Sequence, residues 1–148
     1  MTFDSRNGTR GARQPQGFFL KLANRMTMGR IRRSSSGNLL VLTTIGRQSG
    51  QERQSPVRWF DDGDGRRLIV ASAAGAPKNP AWYYNLKANP DRVWIEVGRE
   101  KKAVVAEQLH GADYDEAWGR IAAEAPQFGR YRTKTDREIP VIRLSDRP

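Results

Sequence analysis

From residue 38 onward, the apolar residues fall into short runs that are separated by turn-forming residues. Residues 38–45 are rich in Leu, Val and Thr, and residues 55–60 and 66–73 form two further runs of the same kind. The Asp-Gly stretch at residues 61–65 is typical of a hairpin turn between the last two runs. This pattern predicts three antiparallel strands joined by short turns.

Two helices are predicted in the second half of the chain. Asn79 is placed to cap the first helix, Pro80 would occupy its first position, and the Asn-Pro pair at residues 89–90 would end it. Asp113 and Glu116 have the spacing of a capping box for the second helix. Each helix is thus bounded by residues that favour a helix terminus.

The remaining extended segments complete the predicted sheet. Apolar residues alternate over residues 93–97, Gly98 turns the chain into residues 101–109, and residues 139–144 form a last strand. Strands and helices do not alternate in the order that a parallel sheet requires. We therefore expect a mostly β (α+β) fold, a barrel of about six antiparallel strands with peripheral helices.

The first 33 residues hold most of the excess positive charge. They carry eight basic side chains against Asp4 alone, so they account for seven of the ten formal net positive charges. Residues 1–17 contain little that could be buried and are expected to form a disordered basic arm. Residues 18–33 have the pattern of an amphipathic helix, which would either cover the barrel or rest on an anionic membrane. Residues 18–148 are expected to form a single domain.

The composition excludes several kinds of chemistry. The 148-residue chain has no Cys and a single His, which excludes a disulfide framework, a thiolate zinc site, a Cys nucleophile and a multi-histidine metal site. We therefore expect no bound metal. Neither a secretory signal nor an apolar stretch of membrane-spanning length occurs, which favours a cytoplasmic protein. The basic excess points to nucleic acid, an anionic membrane, or a small ligand that carries phosphates and carboxylates.

The segment from residue 46 to residue 58 is the first candidate site. Gly46 and Gly50 would let a turn present backbone N–H groups, and Ser49 adds a hydroxyl. Three arginines could bind phosphate or carboxylate oxygens there: Arg47, Arg53 and Arg58. The alternative is an ordinary hairpin connection with solvated arginines.

Two further segments could contribute to a site. A helix that begins near residue 80 would offer free N–H donors, and the aromatic residues 82–84 could wall a flat ligand. Phe128 and Tyr131 are three positions apart and would face one pocket if residues 128–137 are helical. The alternatives are aromatic residues of the core in the first case and a solvated basic loop in the second.

Taken together, these segments resemble the deazaflavin-dependent nitroreductase family. The matching motifs lie at residues 46–50, 53–56, 71–90 and 131–141, and the run GAPKNPAWY is the most specific of them. The resemblance extends over residues 18–146. It implies a split β-barrel that uses the reduced form of coenzyme F420 as a hydride donor.

The resemblance also implies roles for individual residues. Residues 47–49 and Arg53 would contact the phosphate and the acidic tail of the cofactor, and residues 81–85 would cradle its ring. Phe128 and Tyr131 would border the acceptor. The implied cofactor-binding residues are Arg47, Gln48, Ser49, Arg53, Gln54, Ser55, Pro56, Val57, Arg58, Ala71, Ser72, Ala73, Ala81, Trp82, Tyr83, Tyr84, Asn85 and Phe128.

Tyr131 and Ser72 are the candidate catalytic residues. Hydride addition to a quinone, a nitroaromatic ring or an activated enone generates negative charge on the acceptor, and either hydroxyl could donate a hydrogen bond to it. The family usually has Lys where this chain has Gln48, and commonly Lys or Gly where it has Ala73 and Ala74. We therefore expect cofactor binding to be weaker by ~1 kcal/mol for each lost lysine, with Arg58 compensating.

Two other functions also fit the sequence. The protein could bind deazaflavin as a carrier without turnover, or its basic N-terminus could bind nucleic acid. The balanced charge of the body and the lack of a nucleic-acid-binding signature argue against the second. The expected partners are therefore a small-molecule electron acceptor and, through the basic N-terminus, an anionic membrane, with the protein a monomer or a homodimer.

Overall fold

Six strands and three helices build the part of the chain that the structure, a computed structural model, describes: residues 3–11 and 38–148. The strands are β1 (Leu39–Ile45), β2 (Glu52–Asp61), β3 (Arg67–Val70), β4 (Val93–Val97), β5 (Glu100–Gln108) and β6 (Val141–Asp146). The helices are α1 (Ala81–Ala88), α2 (Gly111–Glu124) and α3 (Pro126–Lys134), and a short 3-10 turn covers Ala73–Gly75.

The six strands close into one antiparallel barrel. Around it the order is β1, β2, β3, β6, β5 and β4, and β4 pairs again with β1. The last strand of the chain, β6, therefore lies between β3 and β5 and completes the closure. The prediction of a mostly β fold with about six antiparallel strands and peripheral helices is confirmed.

Alternation along the strands divides the apolar side chains between two clusters. On β3, Ile69 belongs to the cluster that fills the barrel, whereas Leu68 and Val70 belong to a second cluster under α2 and α3. Leu42 and Ile95 are fully buried members of the inner cluster. Because successive side chains of a strand point to opposite faces, one sheet supports both layers.

α1 packs into the inner cluster through its aromatic and apolar residues, among them Tyr83 and Leu86. The N-cap of α1 is Pro80, and no side chain caps the helix, so the prediction that Asn79 is its cap was wrong. The side-chain oxygen of Asn79 instead accepts a hydrogen bond from Arg137. This contact draws the amide away from the helix terminus.

α2 begins earlier than the sequence pattern indicated. Its first residue is Gly111 and its N-cap is His110, with no side-chain cap, so the predicted capping box of Asp113 and Glu116 is not formed. Gly111 has a φ of +58°, which lets the chain turn sharply from β5 into the helix. Asp113 lies in the first turn instead, where a carboxylate interacts favourably with the helix dipole.

No helix among residues 3–11 and 38–148 is long and apolar enough to cross a membrane.

The N-terminal segment, residues 3–11, differs from the disordered arm that the sequence predicted. Phe3 is buried, and its ring packs edge-on against Tyr83 at a centroid distance of 5.9 Å. The backbone N–H of Ser5 donates to the Tyr83 hydroxyl at 2.9 Å. Phe3 and the hydroxyl of Tyr83 therefore attach the start of this polar segment to the barrel. The rest of the predicted arm and the predicted helix at residues 18–33 lie outside the described residues.

A buried carboxylate ties the β2–β3 turn to β6 and α2. The side chain of Asp62 is 1% exposed and accepts hydrogen bonds from Arg143 Nε at 2.6 Å and from Arg120 Nη2 at 2.9 Å. Burial raises the pKa of Asp62, but the two arginines outweigh it and hold the pKa below its usual value. This cluster fixes the side of the barrel on which α2 packs.

Candidate functional site

The turn between β1 and β2 is closed by its own backbone. Gly46 N donates to Gln51 O at 2.8 Å, and Gly50 N donates to Gly46 O at 2.9 Å. Gly50 has a φ of +71°, which favours glycine. A Cβ on Gly46 would fall 2.6 Å from Ser49 Oγ, so no larger residue fits without displacing that hydroxyl. The backbone conformation of the turn thus favours glycine at position 50, and the packing of Ser49 favours it at position 46.

The outer side of this turn carries hydroxyl and guanidinium groups. Ser49 Oγ accepts hydrogen bonds from Gln51 N at 3.2 Å and from Arg53 Nη2 at 3.3 Å. Gln48, Ser49 and Arg53 are all exposed. The turn therefore offers donors suited to an anion.

Residues 3–11 and 38–148 contain no group of three or more His, Cys, Asp or Glu side chains that could hold a metal ion.

Asn85 joins the turn to α1. Its side-chain oxygen accepts a hydrogen bond from Arg47 N at 3.1 Å, and its side-chain nitrogen donates to Thr44 Oγ1 at 3.1 Å. The guanidinium of Arg47 lies 4.8 Å from the centroid of the Tyr84 ring, a cation–π distance. The glycine turn and the aromatic helix, which are far apart in the sequence, are therefore in contact.

The other aromatic residues of α1 face inward. Tyr83 is fully buried, and its hydroxyl donates to Gln108 Oε1 at 2.6 Å while accepting from Ser5. Burial is the main cause of the raised pKa of Tyr83. Trp82 is also buried, whereas Ala81 is exposed. Tyr83 and Trp82 thus support the helix from the barrel side.

β2 carries its candidate residues away from the turn. Residues 54–56 are half-buried, and Val57 belongs to the inner cluster. Arg58 lies five positions beyond Arg53, roughly 17 Å along the strand and on the opposite face. Its guanidinium lies 5.0 Å from the Phe60 ring, and its Nε has no hydrogen-bond partner among the described residues. The structure therefore does not bring Arg58 together with the arginines of the turn.

The loop after β3 is organised by a residue to which the sequence analysis gave no role. Arg137 is buried, and its guanidinium donates to the carbonyl oxygens of Ala71 at 3.0 Å, Ser72 at 2.8 Å and Ala76 at 3.1 Å. It also donates to Asn79 Oδ1. The sequence signal was weak: one arginine inside the motif at residues 131–141, just before an apolar strand.

α3 brings the predicted acceptor-side residues next to this loop. The ring of Phe128 is buried in the second cluster, the one under α2 and α3. Its centroid lies 5.6 Å from that of Phe60 and 5.5 Å from that of Tyr131. Tyr131 is half-buried. A Cβ on Gly75 would lie 3.0 Å from Tyr131 O, so α3 packs directly on the 3-10 turn in which Ala73 has a φ of +45°. The helix ends at Lys134, so only part of the segment 128–137 is helical, but this part includes both Phe128 and Tyr131.

The N-terminal segment crosses the same region. The Tyr84 hydroxyl donates to Asn7 Oδ1 at 2.8 Å. Gly11 comes so close to the loop that a Cβ on it would fall 2.2 Å from Gly75 O. Residues 3–11 are thus a further element of the candidate site, which sequence reasoning missed because their composition resembles that of a disordered chain.

Asp136 holds this segment in place. Its carboxylate accepts hydrogen bonds from Thr9 N at 2.7 Å, from the Thr9 hydroxyl and from Arg10 N at 3.3 Å. The bonds from Thr9 are the main cause that lowers the pKa of Asp136 to about 2. Gly8 N adds a bond to Pro77 O at 2.6 Å. The carboxylate of Asp136 and the carbonyl of Pro77 therefore both attach this segment to the body of the protein.

The closed six-stranded barrel defines a split β-barrel protein. The solved structure of an F420-H2 dependent reductase (FDR-A) is similar to it with a TM-score of 0.65 and 35% sequence identity, covering 73% of this chain and 94% of that one. A structure described as a domain-swapped dimer has a TM-score of 0.68 at 28% identity, covering 86% of this chain and 98% of that one.

Sequence comparison narrows the class. An F420H2-dependent quinone reductase of Mycobacterium tuberculosis is 41% identical over 111 residues, which cover 73% of each chain. The profile of the F420H2-dependent quinone reductase family matches residues 20–146. The chain therefore belongs to the F420H2-dependent quinone reductase family, and it is an F420-dependent oxidoreductase with coenzyme F420 as its cofactor. The resemblance inferred from the motifs is confirmed.

Proposed function

We propose that this protein transfers a hydride from F420H2 to a quinone, with the cofactor held between the glycine turn (residues 46–51) and α1. The observation that carries the proposal is the contact between these two elements through Arg47 and Asn85. A phosphate near the turn and a ring near the helix would then belong to one ligand. The family to which the chain belongs supports the choice of donor and acceptor.

The donor set fits an anionic cofactor. The crowding around Gly46 shows that the turn is shaped by its own small residues, which leaves Arg53 and Ser49 on its exposed side. Arginine forks and hydroxyl groups are common partners of phosphate and carboxylate oxygens. Arg47 adds a second guanidinium beside the Tyr84 ring. We infer that Arg47, Gln48, Ser49 and Arg53 bind the phosphate and the acidic tail.

The protein's own part in the reaction is binding, orientation and charge stabilisation. Reduced deazaflavin supplies the hydride when it is bound. Ser72 lies in the loop that Arg137 fixes, and Tyr131 lies on the helix that packs against that loop. We assign to the Tyr131 hydroxyl the hydrogen bond to the oxygen on which negative charge develops, and the transfer of a proton to it. Ser72 is the second candidate donor.

A binding titration tests the cofactor site. Oxidised F420 should bind in the micromolar range, and FMN run alongside should not bind. Arg53→Gln should weaken F420 binding about tenfold, since it removes one charge-assisted contact. Arg99→Gln, at the exposed β4–β5 turn, is the matched control and should leave the affinity unchanged. Equal effects of the two substitutions would refute a local role of Arg53.

A turnover assay separates an enzyme from a carrier. Stopped-flow oxidation of F420H2 should be rapid with menaquinone and slower with a nitroaromatic or an activated enone, if the quinone is the preferred acceptor. Binding of F420 without oxidation by any of the three would favour the carrier function instead. Nucleic-acid binding becomes relevant only if a gel shift survives deletion of residues 1–17.

The partner predictions can be tested in the same way. One similar structure is a domain-swapped dimer, which supports a homodimer here and is checked by light scattering. The charge of residues 1–33 supports peripheral contact of a cytoplasmic protein with an anionic membrane. Co-sedimentation with vesicles of anionic lipid, but not of neutral lipid, is the expected result. Replacing the basic residues of positions 12–33 with Gln, which leaves the packed residues 3–11 intact, should abolish it.

A further inference from the structure

The guanidinium of Arg137 lies inside the protein without an acidic partner. Arg137 is 4% exposed, and no carboxylate among residues 3–11 and 38–148 forms an ion pair with its guanidinium. Its hydrogen-bond acceptors are three backbone carbonyls and one amide oxygen. A buried charge that is satisfied only by neutral groups is unusual, because ion pairing is the common way to compensate it.

The carbonyls that Arg137 binds come from both ends of one irregular loop. Ala71 and Ser72 lie where the chain leaves β3, and Ala76 lies beyond the 3-10 turn. Between them, Ala73 adopts a φ of +45°, a conformation that is rare for residues other than Gly, Asn and Asp. Such a conformation persists only where surrounding contacts hold it. The guanidinium is the contact that spans the loop.

The same fork reaches the start of α1. Asn79 Oδ1 accepts from Arg137, and Asn79 N donates to the Tyr84 hydroxyl at 3.3 Å. Tyr84 is the residue whose ring lies under the guanidinium of Arg47. A continuous chain of contacts therefore joins Arg137 to the glycine turn, through residues that lie on the candidate site.

We propose that Arg137 is the positioning residue of the F420 site: its guanidinium sets the geometry of residues 71–79, and thereby the placement of Ser72 and of the start of α1. The inference rests on the proposed function, because these residues are the ones assigned to the cofactor and the acceptor. The fork geometry is essential, since the four acceptors lie around three different nitrogens. Lysine keeps the charge but has one nitrogen and cannot span them.

Arg137→Lys and Arg137→Ala test the proposal against Arg130→Lys, an exposed position of α3. In the cofactor-free protein, amide hydrogen exchange of residues 72–79 should speed up at least tenfold in both Arg137 variants and remain unchanged in the control. F420 affinity should fall at least tenfold, whereas the KM for menaquinone should change by less than threefold. Millimolar guanidinium ion should restore F420 affinity in Arg137→Ala, and methylammonium should not.

Several results would overturn the proposal. Arg137→Lys with wild-type exchange and wild-type affinity would show that charge alone suffices, and guanidinium without effect on folded Arg137→Ala would remove the positioning role. If both variants fail to fold, Asn79→Ala is the substitute, because it removes one acceptor of the guanidinium. It should speed up amide exchange of residues 72–79 and weaken F420 binding less than the Arg137 substitutions would. Wild-type affinity in Asn79→Ala would contradict the proposal. A wild-type protein that binds no F420 would refute the proposed function, while the exchange experiment would still test the loop.

Discussion

Replacing Asp62 with Asn should destabilise the fold more than any other single isosteric substitution that we consider. The carboxylate of Asp62 is 1% exposed and bonds Arg143 at 2.6 Å and Arg120 at 2.9 Å. The substitution retains the shape of the side chain but removes its charge. It leaves Arg143, whose side chain is 18% exposed, with Glu107 at 3.4 Å as a more distant partner.

The size of the loss follows from these contacts. A hydrogen bond that involves a charged group contributes about 1.5–3 kcal/mol, and removal of one partner of a buried ion pair costs about 3–5 kcal/mol. The Arg120 side chain is 48% exposed, so water can replace much of its contact. We therefore expect Asp62→Asn to lower the free energy of unfolding by about 3 kcal/mol. This corresponds to a fall in Tm of roughly 6–12 °C.

The same carboxylate makes stability depend on pH. Because the folded state holds the pKa of Asp62 below its usual value of 3.8, the unfolded state takes up a proton first as the pH falls. Its contribution is complete above that value and is lost as the pH falls through the folded pKa. Asp62→Asn should therefore flatten the acid side of the stability profile below about pH 5.

Urea unfolding at pH 7 and at about pH 3, followed by circular dichroism, measures both effects, because the contribution of Asp62 is lost only below its usual pKa of 3.8. Asp64→Asn is the matched control, because the carboxyl of Asp64 is 93% exposed and its contact with Arg66, at 4.0 Å, is long. The control should change the free energy of unfolding by less than about 0.5 kcal/mol. A loss below about 1 kcal/mol for Asp62→Asn, or an unchanged acid profile, would refute the assignment of a buried ion-pair cluster.

Three further predictions concern the site. Gly46→Ala should raise the Kd for F420 at least tenfold with little change in Tm, because its Cβ would displace Ser49 Oγ; an unchanged fluorescence titration would contradict the role of the turn. Tyr131→Phe should lower turnover with menaquinone about 100-fold while F420 affinity stays within twofold, and equal losses in both would exclude a role confined to chemistry. Asp136→Asn should speed amide exchange at Thr9 and across residues 3–11, and wild-type exchange there would show that Asp136 does not hold the segment.

The strands could be predicted well because their signal is local. Alternation over residues 93–97 and the turn at residues 61–65 each lie within one short segment, and β4 and the β2–β3 connection are found there. The end of β3 was placed too late, since the run to residue 73 passes from the strand at Val70 into a loop. An apolar run does not reveal where its hydrogen-bond partner strand ends.

The features that sequence reasoning missed depend on distant partners. Asn79 matches the pattern of an N-cap, but Arg137, far along the chain, takes its side-chain oxygen. Phe3 resembles an isolated apolar residue in a polar arm, yet Tyr83 and the barrel cluster provide a place to bury it. Local pattern cannot show either contact, because each forms only once the barrel has closed.

The arginines of the Asp62 cluster and those of the glycine turn differ in their partners. Arg120 and Arg143 share the carboxylate of Asp62, so their charges are compensated and serve the fold. The guanidinium groups of Arg47 and Arg53, by contrast, contact an aromatic ring and a hydroxyl. These groups are neutral, so neither charge is compensated by a carboxylate among the described residues. An uncompensated cationic group attracts an anion more strongly than a paired one. The glycine turn therefore presents two guanidinium groups that a phosphate could engage without first breaking an ion pair with the described residues.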